Sequence, residues 1–385
     1  MRSINIGCLC EKYQTKSCIS IRFHVRSLIR SSQLWILVLY RKGCIKMKTI
    51  ITVDHSIRAK ITDICGLSCS FCHNEGTLVR QNSSSRVSVF SRQSHCILRP
   101  GEMVSDSNFL NFFHEAKQKL DINEVHLTGG EPSLNTDVTS IVSSLKLQGL
   151  TVKMTSNGET GGSRVKDIIN AGIDAINFSV LGLTEDDFKK TQNDRKSNLF
   201  YQNKIRQLHD SIEVAIAGGV KVGVNLVISD SSSINKAINL IKYYKNSLRI
   251  KLLSDLSNIQ ESELAIKELL SRIDAVPIEH RITAGISDER FIYTTRSGVR
   301  IVNKRLRRIT LKKTCLDCPF SETECVEGFY GPRVYIDTEN NYFLGFCIMR
   351  MDHLMPYKEF FSSQICDDIL ALRDEDYKFL SSMYS

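Results

Sequence analysis

Short strand-like runs alternate with amphipathic stretches between about residues 57 and 253, and this alternation constrains the fold more than any other feature. Runs rich in β-branched residues predict strands at 57–62, 124–128, 151–156, 175–180, 220–228 and 248–253. The stretches between them predict helices at 105–119, 137–148, 163–171, 201–217 and 233–246. Parallel strands need long crossovers, which these helices supply. The sequence therefore predicts an α/β protein with a parallel sheet, open or closed into a partial barrel.

Composition is ordinary for a globular protein, at 42% hydrophobic and 24% charged residues over a length of 385. The net charge of +9 is uneven, because residues 1–46 hold nine Lys or Arg and a single acid, Glu11. The rest of the chain is close to neutral, which argues against a surface for nucleic acid. No run of about eighteen apolar residues is present, so we expect neither a membrane-spanning helix nor a membrane partner.

The first 46 residues differ from the rest of the chain. They contain the only tryptophan, Trp35, and four of the thirteen cysteines, and they show neither a helical nor a strand period. Their apolar stretch at 34–40 is short and has no small-residue cleavage site, so it does not resemble a signal peptide. We predict that residues 1–46 are a non-native or flexible leader, that Met47 is the true start, and that the protein is cytoplasmic.

The sequence pattern changes again after about residue 275, where short strands and cysteines replace the alternation. We therefore expect a core over 47–275 and a C-terminal, cysteine-rich region over 276–385. A polar, aperiodic stretch at 80–100 predicts a loop inserted into the core. Outside the leader the cysteines are clustered, and without an export signal clustered cysteines indicate metal ligands rather than disulfides.

The first cluster, Cys65, Cys69 and Cys72, has the spacing CxxxCxxC and directly follows the first predicted strand. Three thiolates on one loop can each bind a different iron of a [4Fe–4S] cubane and leave the fourth iron without a protein ligand. A structural zinc site needs a fourth protein ligand, and His73, adjacent to Cys72, is poorly placed to supply it. The spacing therefore favours an iron–sulfur cluster.

With the aromatic Phe71 before its third cysteine, this motif resembles the signature of the radical S-adenosylmethionine (SAM) enzymes. In that family the open iron chelates the amino and carboxylate groups of SAM, and an electron cleaves SAM to a 5′-deoxyadenosyl radical. The resemblance implies a partial (β/α)6 barrel of the TIM type, with its site at the carboxyl ends of the strands. It also implies an electron donor such as flavodoxin or ferredoxin.

A second motif, GGEP at 129–132, follows the second predicted strand and resembles the family segment that holds the SAM amino group. Glycines let the backbone approach a ligand, and an acid can face an ammonium group. For the strand-end residues Ser179 and Asn225, capping of the strand is an equal alternative to ligand binding. The residues that the resemblance assigns to SAM are Phe71, Gly129, Gly130, Glu131, Ser156, Ser179 and Asn225.

The second cluster of cysteines lies in the C-terminal region and consists of Cys315, Cys318, Cys325 and Cys347. Four thiolates suit either a zinc knot or a fully ligated iron–sulfur cluster, and the spacing alone does not separate the two. Their layout resembles the auxiliary-cluster domains of the twitch and SPASM type. The resemblance thus implies two [4Fe–4S] clusters, together with SAM, as cofactors.

Within the superfamily, the nearest resemblance is to the GTP 3′,8-cyclases of molybdopterin biosynthesis. Arg58 and Arg333 fall on GTP-contacting arginines of those enzymes. His126 stands in place of an arginine and Gly223 in place of a lysine, while Cys325 adds a thiolate that could close the auxiliary cluster. A triphosphate needs an array of cations, so these changes argue against GTP. We expect a small, anionic substrate near Arg58, His126 and Arg333.

Three alternatives to this interpretation remain open. The chain could be a GTP 3′,8-cyclase after all, or a radical SAM maturase that modifies a peptide. It could instead be a non-catalytic zinc or redox-sensing protein, although that interpretation leaves the GGEP segment unexplained. The sequence assigns no catalytic residue and does not identify the product.

Overall fold

The computed structural model describes residues 47–77, 96, 98–320, 325 and 327–384. The predicted leader at 1–46 and most of the predicted loop at 80–100 lie outside these residues. The described strands are β1 Lys48–Val53, β2 Ser56–Thr62, β3 Glu124–Gly129, β4 Thr151–Ser156, β5 Ala175–Ser179, β6 Lys221–Ile228, β7 Arg249–Ser254, β8 Val276–Ala284, β9 Asp288–Thr294, β10 Arg300–Leu306, β11 Arg333–Ile336, β12 Tyr342–Gly345 and β13 Met355–Pro356. The described α-helices are α1 Ser107–Lys119, α2 Val138–Leu147, α3 Gly162–Asn170, α4 Glu185–Lys189, α5 Asn198–Ala217, α6 Ser233–Tyr244, α7 Ile259–Arg272, α8 Tyr357–Phe361 and α9 Gln364–Tyr384.

The strands form one sheet in the order β1-β8-β9-β10-β7-β6-β5-β4-β3-β2-β11-β12-β13. Strands β2 to β7 are parallel and adjacent in chain order, with helices in their crossovers. These are the six predicted strands, and each end lies within one residue of its predicted position. The five predicted helices are present as α1, α2, α3, α5 and α6. The predicted parallel α/β sheet is confirmed.

Alternation along the strands divides the sheet into an apolar and a polar face. On β2 the side chains of Ile57, Ala59 and Ile61 are fully buried in the core shared with the helices. Their neighbours Arg58 and Lys60 point to the opposite face, because successive side chains of a strand alternate. The same alternation recurs on the other parallel strands, so the second face is lined by polar and charged groups.

The position of Tyr330 shows that the sheet curves around this polar face. The Nζ of Lys304 on β10 lies 4.2 Å from the centre of the Tyr330 ring, and the Cζ of Arg58 on β2 lies 5.8 Å from it. Strands β10 and β2 are six steps apart in the sheet, which would be about 29 Å in a flat sheet at about 4.8 Å per strand. One tyrosine reaches both strands only because the sheet curls into a partial barrel.

The chain after residue 275 adds strands to both sides of the parallel core. Strand β10 pairs with β7, and β9 and β8 follow it by antiparallel pairing, while β11 pairs with β2 at the other side. The expected division between 47–275 and 276–385 stays a prediction, since one continuous sheet crosses it. None of the described helices is long and apolar enough to cross a membrane.

Candidate active site

The loop after β2 carries the first cysteine cluster at the carboxyl edge of the parallel strands, and its three thiols are half-buried. The amide Nδ2 of Asn157 lies 3.6 Å from Sγ of Cys65, and the Nε2 of Gln192 lies 3.5 Å from Sγ of Cys69. Amide donors directed at sulfur stabilise thiolates and iron–sulfur clusters. Two of the three sulfur atoms therefore have an amide donor, and Sγ of Cys65 also lies 3.8 Å from Oε1 of Glu159.

A single metal ion and a cubane place different demands on three thiols. Within the described ranges no group of three or more His, Cys, Asp or Glu side chains is arranged to hold one metal ion, and this applies to the C-terminal cysteines as well. A zinc site needs its sulfur ligands to converge at about 2.3 Å from one point. In a cubane each cysteine binds a different iron, so the sulfur atoms of Cys65, Cys69 and Cys72 need not converge.

A buried carboxylate that the sequence analysis missed, Glu159, holds this loop in place. Its Oε1 accepts hydrogen bonds from the backbone N–H of Gly66 at 2.9 Å and from Nδ2 of Asn157 at 3.0 Å. Its Oε2 forms an ion pair with Nζ of Lys204 on α5 at 2.7 Å. A Cβ atom at Gly66 would lie 2.0 Å from Oε2, so a side chain at this position would displace the carboxylate. No spacing in the sequence connects residue 159 with residue 66.

The GGEP segment is bonded to the chain that leads into the cysteine loop. The backbone N–H of Gly130 donates to the carbonyl of Thr62 at 2.8 Å, and that of Glu131 donates to the carbonyl of Ile64 at 2.7 Å. Gly129 has a φ of +146°, and a Cβ atom there would lie 2.3 Å from the Thr62 carbonyl oxygen. Glycine at this position therefore lets the two segments touch.

The side chain of Glu131 is bonded within the protein. It is 1% exposed, and its carboxylate accepts hydrogen bonds from the hydroxyls of Ser133 at 2.6 Å and Ser156 at 2.7 Å and from the Asn157 N–H at 2.5 Å. Burial raises the pKa of Glu131, and these hydrogen bonds lower it. Glu131 and Ser156 thus connect the ends of β3 and β4, and their contacts with SAM stay predictions.

Three other residues assigned to SAM meet in one pocket. Phe71 from the cysteine loop, Ser179 at the end of β5 and Asn225 on β6 line this pocket, which also contains Lys190 and Lys236. Ser179 and Asn225 are direct neighbours in the pairing of β5 with β6. Because Phe71 lies between Cys69 and Cys72, the pocket opens beside the cysteine loop. The aspartates on its wall are Asp187 and Asp230.

The three residues predicted to bind substrate lie side by side on the polar face. Arg333 on β11 pairs in register with Arg58 on β2, and Arg58 pairs with His126 on β3. The Nε2 of His126 lies 2.8 Å from Oγ1 of Thr155. Burial lowers the pKa of His126 well below its ordinary value, and the nearby cations lower it further. His126 is therefore neutral at physiological pH.

Both arginines already have carboxylate partners. Glu75, on the segment after the cysteine loop, accepts from Nη2 of Arg58 at 2.7 Å and from Nε of Arg333 at 3.0 Å. Glu327 accepts from Nη2 of Arg333 at 2.9 Å. Arg333 is 2% exposed, and its Nη1 makes no hydrogen bond in the described chain. Binding of substrate by Arg58 and Arg333 stays a prediction, and their charge is largely compensated.

The four C-terminal cysteines line one pocket whose walls are mainly apolar. Cys315, Cys318, Cys325 and Cys347 surround it together with aromatic side chains and the cation Arg350, and none of them forms a disulfide in the described chain. Burial raises the pKa values of Cys315 and Cys325, and it raises the pKa of Cys347 to about 11. Thiolates are costly in such a pocket unless a metal centre supplies positive charge. The set fits a fully ligated cluster, and zinc remains open.

Comparison with known proteins places this geometry in context. Residues 59–241 match the family model described as the Radical SAM superfamily. The chain is 28% identical over 236 residues to a probable GTP 3′,8-cyclase of Methanosarcina mazei, which covers 58% of this chain and 64% of that protein. It is 31% identical over 175 residues to a GTP 3′,8-cyclase of Aeromonas hydrophila, which covers 45% of each. The chain thus spans less than two thirds of the curated relatives it matches.

Among solved structures, the chain is similar to Streptococcus suis SuiB bound to the precursor peptide SuiA. The two are 12% identical, with a TM-score of 0.47, over 91% of this chain and 72% of that chain. The family match confirms the resemblance to the radical SAM superfamily that the cysteine motif predicts, and it implies one [4Fe–4S] cluster and SAM. The matched range includes all the residues assigned to SAM, whereas the cysteines at 315–347 lie beyond it.

Proposed function

We propose that this protein is a radical SAM enzyme that binds a [4Fe–4S] cluster through Cys65, Cys69 and Cys72. When bound, the cluster supplies the electron that cleaves SAM to a 5′-deoxyadenosyl radical. The observation that carries the proposal is the three-cysteine loop at the carboxyl edge of a parallel barrel, directly beside the pocket of Phe71, Ser179 and Asn225.

The chain's own residues supply binding and positioning. Glu159 and Lys204 fix the cysteine loop, and Asn157 and Gln192 direct amide donors at two of its sulfur atoms. These contacts hold the loop open toward the pocket. The protein's contribution is therefore a rigid support for three thiolates and a neighbouring site for the second reactant.

The charges of the pocket suit SAM, which carries an ammonium group, a sulfonium and a carboxylate. Lys190 and Lys236 can pair with a carboxylate, while Asp187 and Asp230 can pair with cationic groups. Burial lowers the pKa of Lys236, and hydrogen bonds from Ser232 lower the pKa of Asp230. Both signs of charge in one pocket support a zwitterionic ligand.

The C-terminal cysteines hold a second [4Fe–4S] cluster in this proposal. Their four thiols around one apolar pocket support complete ligation by protein, as in the auxiliary clusters of the twitch and SPASM type. Such a cluster can pass electrons or hold a substrate. Iron and zinc analysis of the purified protein separates this assignment from a zinc knot.

The substrate in this proposal is a small molecule with an anionic group, and the electron comes from a donor such as flavodoxin or ferredoxin in the cytoplasm. GTP 3′,8-cyclisation is the second candidate function, because the curated relatives carry that name. The neutral His126, the glycine at 223 and the compensated Arg58 and Arg333 disfavour a triphosphate. We expect no 3′,8-cyclised product, by mass spectrometry, after incubation with GTP, SAM and dithionite.

The proposed activity is tested by anaerobic reconstitution of the full chain with iron and sulfide, followed by SAM and dithionite. We expect 5′-deoxyadenosine from the parent and none from the Cys65→Ala variant, because that variant loses a cluster ligand. Cys366→Ala is the matched control, since Cys366 is buried on α9 and its Sγ lies 3.8 Å from the Lys119 carbonyl. A parent that binds iron but yields no 5′-deoxyadenosine contradicts the proposal.

A further inference from the structure

Most cations on the polar face of the barrel have their own carboxylates. Four such cations lie on described strands and form ion pairs with nearby carboxylates. The pairs are Lys60 with Asp63, Lys153 with Glu124, Arg58 with Glu75, and Arg333 with both Glu75 and Glu327. Buried charges need such partners because desolvation is costly. This part of the barrel therefore has little charge left for a ligand.

Strands β7, β10 and β9 differ, because Lys251, Lys304 and Arg290 share a single close carboxylate. Lys251 is opposite Val302, Lys304 is opposite Leu253 two positions further along, and Arg290 is opposite Lys304. The three side chains therefore share one face of neighbouring strands. Asp288 lies 2.7 Å from Arg290 and 3.9 Å from Lys304.

Lys251, Lys304 and Arg290 against Asp288 leave a formal excess of two positive charges, and Arg249, two positions before Lys251 on the same face of β7, adds a third. Lys251 forms no ion pair within the described part of the chain, and its Nζ donates only to Oδ1 of Asn177. Glu124 also acts on Arg290 across the barrel, but Glu124 is already paired with Lys153. Burial and the neighbouring Arg290 and Lys304 lower the pKa of Lys251 well below its ordinary value, so the crowding of charge is unfavourable.

Gly223 allows Lys251 to reach this position. A Cβ atom at Gly223 on β6 would lie 2.8 Å from Oδ1 of Asn177 and 3.5 Å from Cε of Lys251. The side chain of Lys251 therefore passes over the bare backbone of β6 to reach Asn177 on β5. The cation that β6 lacks at position 223 is supplied from the adjacent strand β7.

We propose that Lys251, Lys304 and Arg290 bind a phosphate monoester group of the substrate. A phosphate monoester carries a charge of about −1.5 to −2 at neutral pH and therefore offsets more of this excess than a carboxylate, which carries about −1. Lys251 is the direct neighbour of Asn225, so the phosphate lies beside the SAM pocket. That the phosphate belongs to the substrate rests on the proposed function.

The test uses the full chain with clusters reconstituted anaerobically and inorganic phosphate as the probe, followed by isothermal titration calorimetry. We expect Lys251→Met and Lys304→Met each to weaken phosphate binding by about tenfold, because each removes a charge-assisted hydrogen bond. Lys221→Met is the control, since Lys221 is exposed at the start of β6 and should leave the affinity unchanged. Acetate, the carboxylate probe, should bind the parent at least about tenfold more weakly than phosphate does.

A second test moves the lysine from β7 to β6 and measures whether phosphate binding is recovered. The double variant Gly223→Lys with Lys251→Gly moves the lysine to β6 and should recover phosphate affinity relative to Lys251→Met. Equal affinity in the parent, Lys251→Met and Lys304→Met overturns the proposal, as does acetate binding as tight as phosphate binding.

The formation of 5′-deoxyadenosine, measured in the same preparation, reports on the proposed function separately. Cleavage of SAM by a parent that shows no saturable phosphate binding overturns the phosphate site and leaves the enzymatic proposal intact. Phosphate binding that depends on Lys251 in a parent unable to cleave SAM supports the site and overturns the enzymatic proposal.

Discussion

The two cysteine regions supply different hydrogen-bond donors to sulfur. At the first, Asn157 and Gln192 direct side-chain amides at two sulfur atoms, and Glu159 fixes the backbone. At the second, aromatic side chains and Arg350 line the pocket, and burial raises the pKa of Cys347 to about 11. The sulfur atoms there receive backbone and guanidinium donors instead of amide side chains.

Under the proposed function, this difference accompanies a difference in the number of cysteine ligands. Three cysteines leave an open iron position, and an open position is useful only where a polar reactant can approach. Four cysteines close the coordination, so no reactant needs to reach the metal. We therefore expect SAM cleavage at the edge of the barrel and a supporting role for the C-terminal cysteines.

The largest expected effect tests whether SAM cleavage needs the C-terminal cysteines. The double variant Cys315→Ala with Cys318→Ala should lose about half of the bound iron, because one of the two proposed clusters loses two ligands. It should still form 5′-deoxyadenosine in the absence of substrate, as measured by chromatography with iron analysis. Complete loss of SAM cleavage in this variant would show that the two centres do not act separately.

The next effect concerns the ion pairs that connect the two regions. Glu75 follows the first cysteine loop, and its partner Arg333 lies between Cys325 and Cys347. Arg333→Met leaves Glu327 without a cation and Glu75 with Arg58 alone, so we expect a loss of about 3–5 kcal/mol in the free energy of unfolding. Urea denaturation measures it.

The matched control is Arg272→Met, which removes an exposed Arg–Glu pair on α7 and should cost less than about 1 kcal/mol. Equal losses in the two variants would mean that Arg333 contributes no more than a surface pair.

A smaller effect concerns Glu159, which supports the first cysteine loop and has no part in the C-terminal pocket. Glu159→Gln removes the charge opposite Lys204, so we expect a loss of about 2–3 kcal/mol in the free energy of unfolding. Iron should be lost from the first site only, which the SAM cleavage rate and iron content together report. Glu261→Gln is the control because Glu261 is exposed on α7. A variant with full SAM cleavage would remove Glu159 from the support of the loop.

The smallest effect is a pH dependence. Arg58, His73 and Arg333 hold the pKa of Glu75 well below its ordinary value of 4.5, against the effect of burial. A lowered pKa contributes stability that is present above pH 4.5 and is lost as the pH falls through the folded-state pKa. The stability difference between the parent and Glu75→Gln should therefore be constant from pH 7 to about 5 and shrink below it. A difference independent of pH down to 3 would contradict this assignment.

Local patterns predicted much of the fold and part of the site. The six parallel strands follow from their β-branched runs, and the cysteine loop follows from residue spacing within eight positions. Strand β1 and helices α4, α7, α8 and α9 were missed, and β1 pairs with β8 more than two hundred residues later in the chain. A hydrophobic period within one segment does not predict which distant strand that segment pairs with.

Distance along the chain also hides where the charges lie. Gly223 stands where the GTP 3′,8-cyclases have a lysine, so the sequence of β6 alone predicts that this cation is lost. The structure brings Lys251 from the neighbouring strand across that glycine to Asn177, which is 74 residues away in sequence. Likewise, nothing in the spacing shows that Arg58 and Arg333 share Glu75.

The ion pair between Arg333 and Glu75 also bears on the order of folding, since the two residues are 258 positions apart in the chain. The entropy cost of closing so long a loop must be met before the contact contributes any energy. Strands β3 to β7 lie between these residues in sequence, and their pairings are far more local. We expect the parallel strands to associate first and the seam between β2 and β11 to form late. Strands β2 and β11 then join a barrel whose middle strands are already paired.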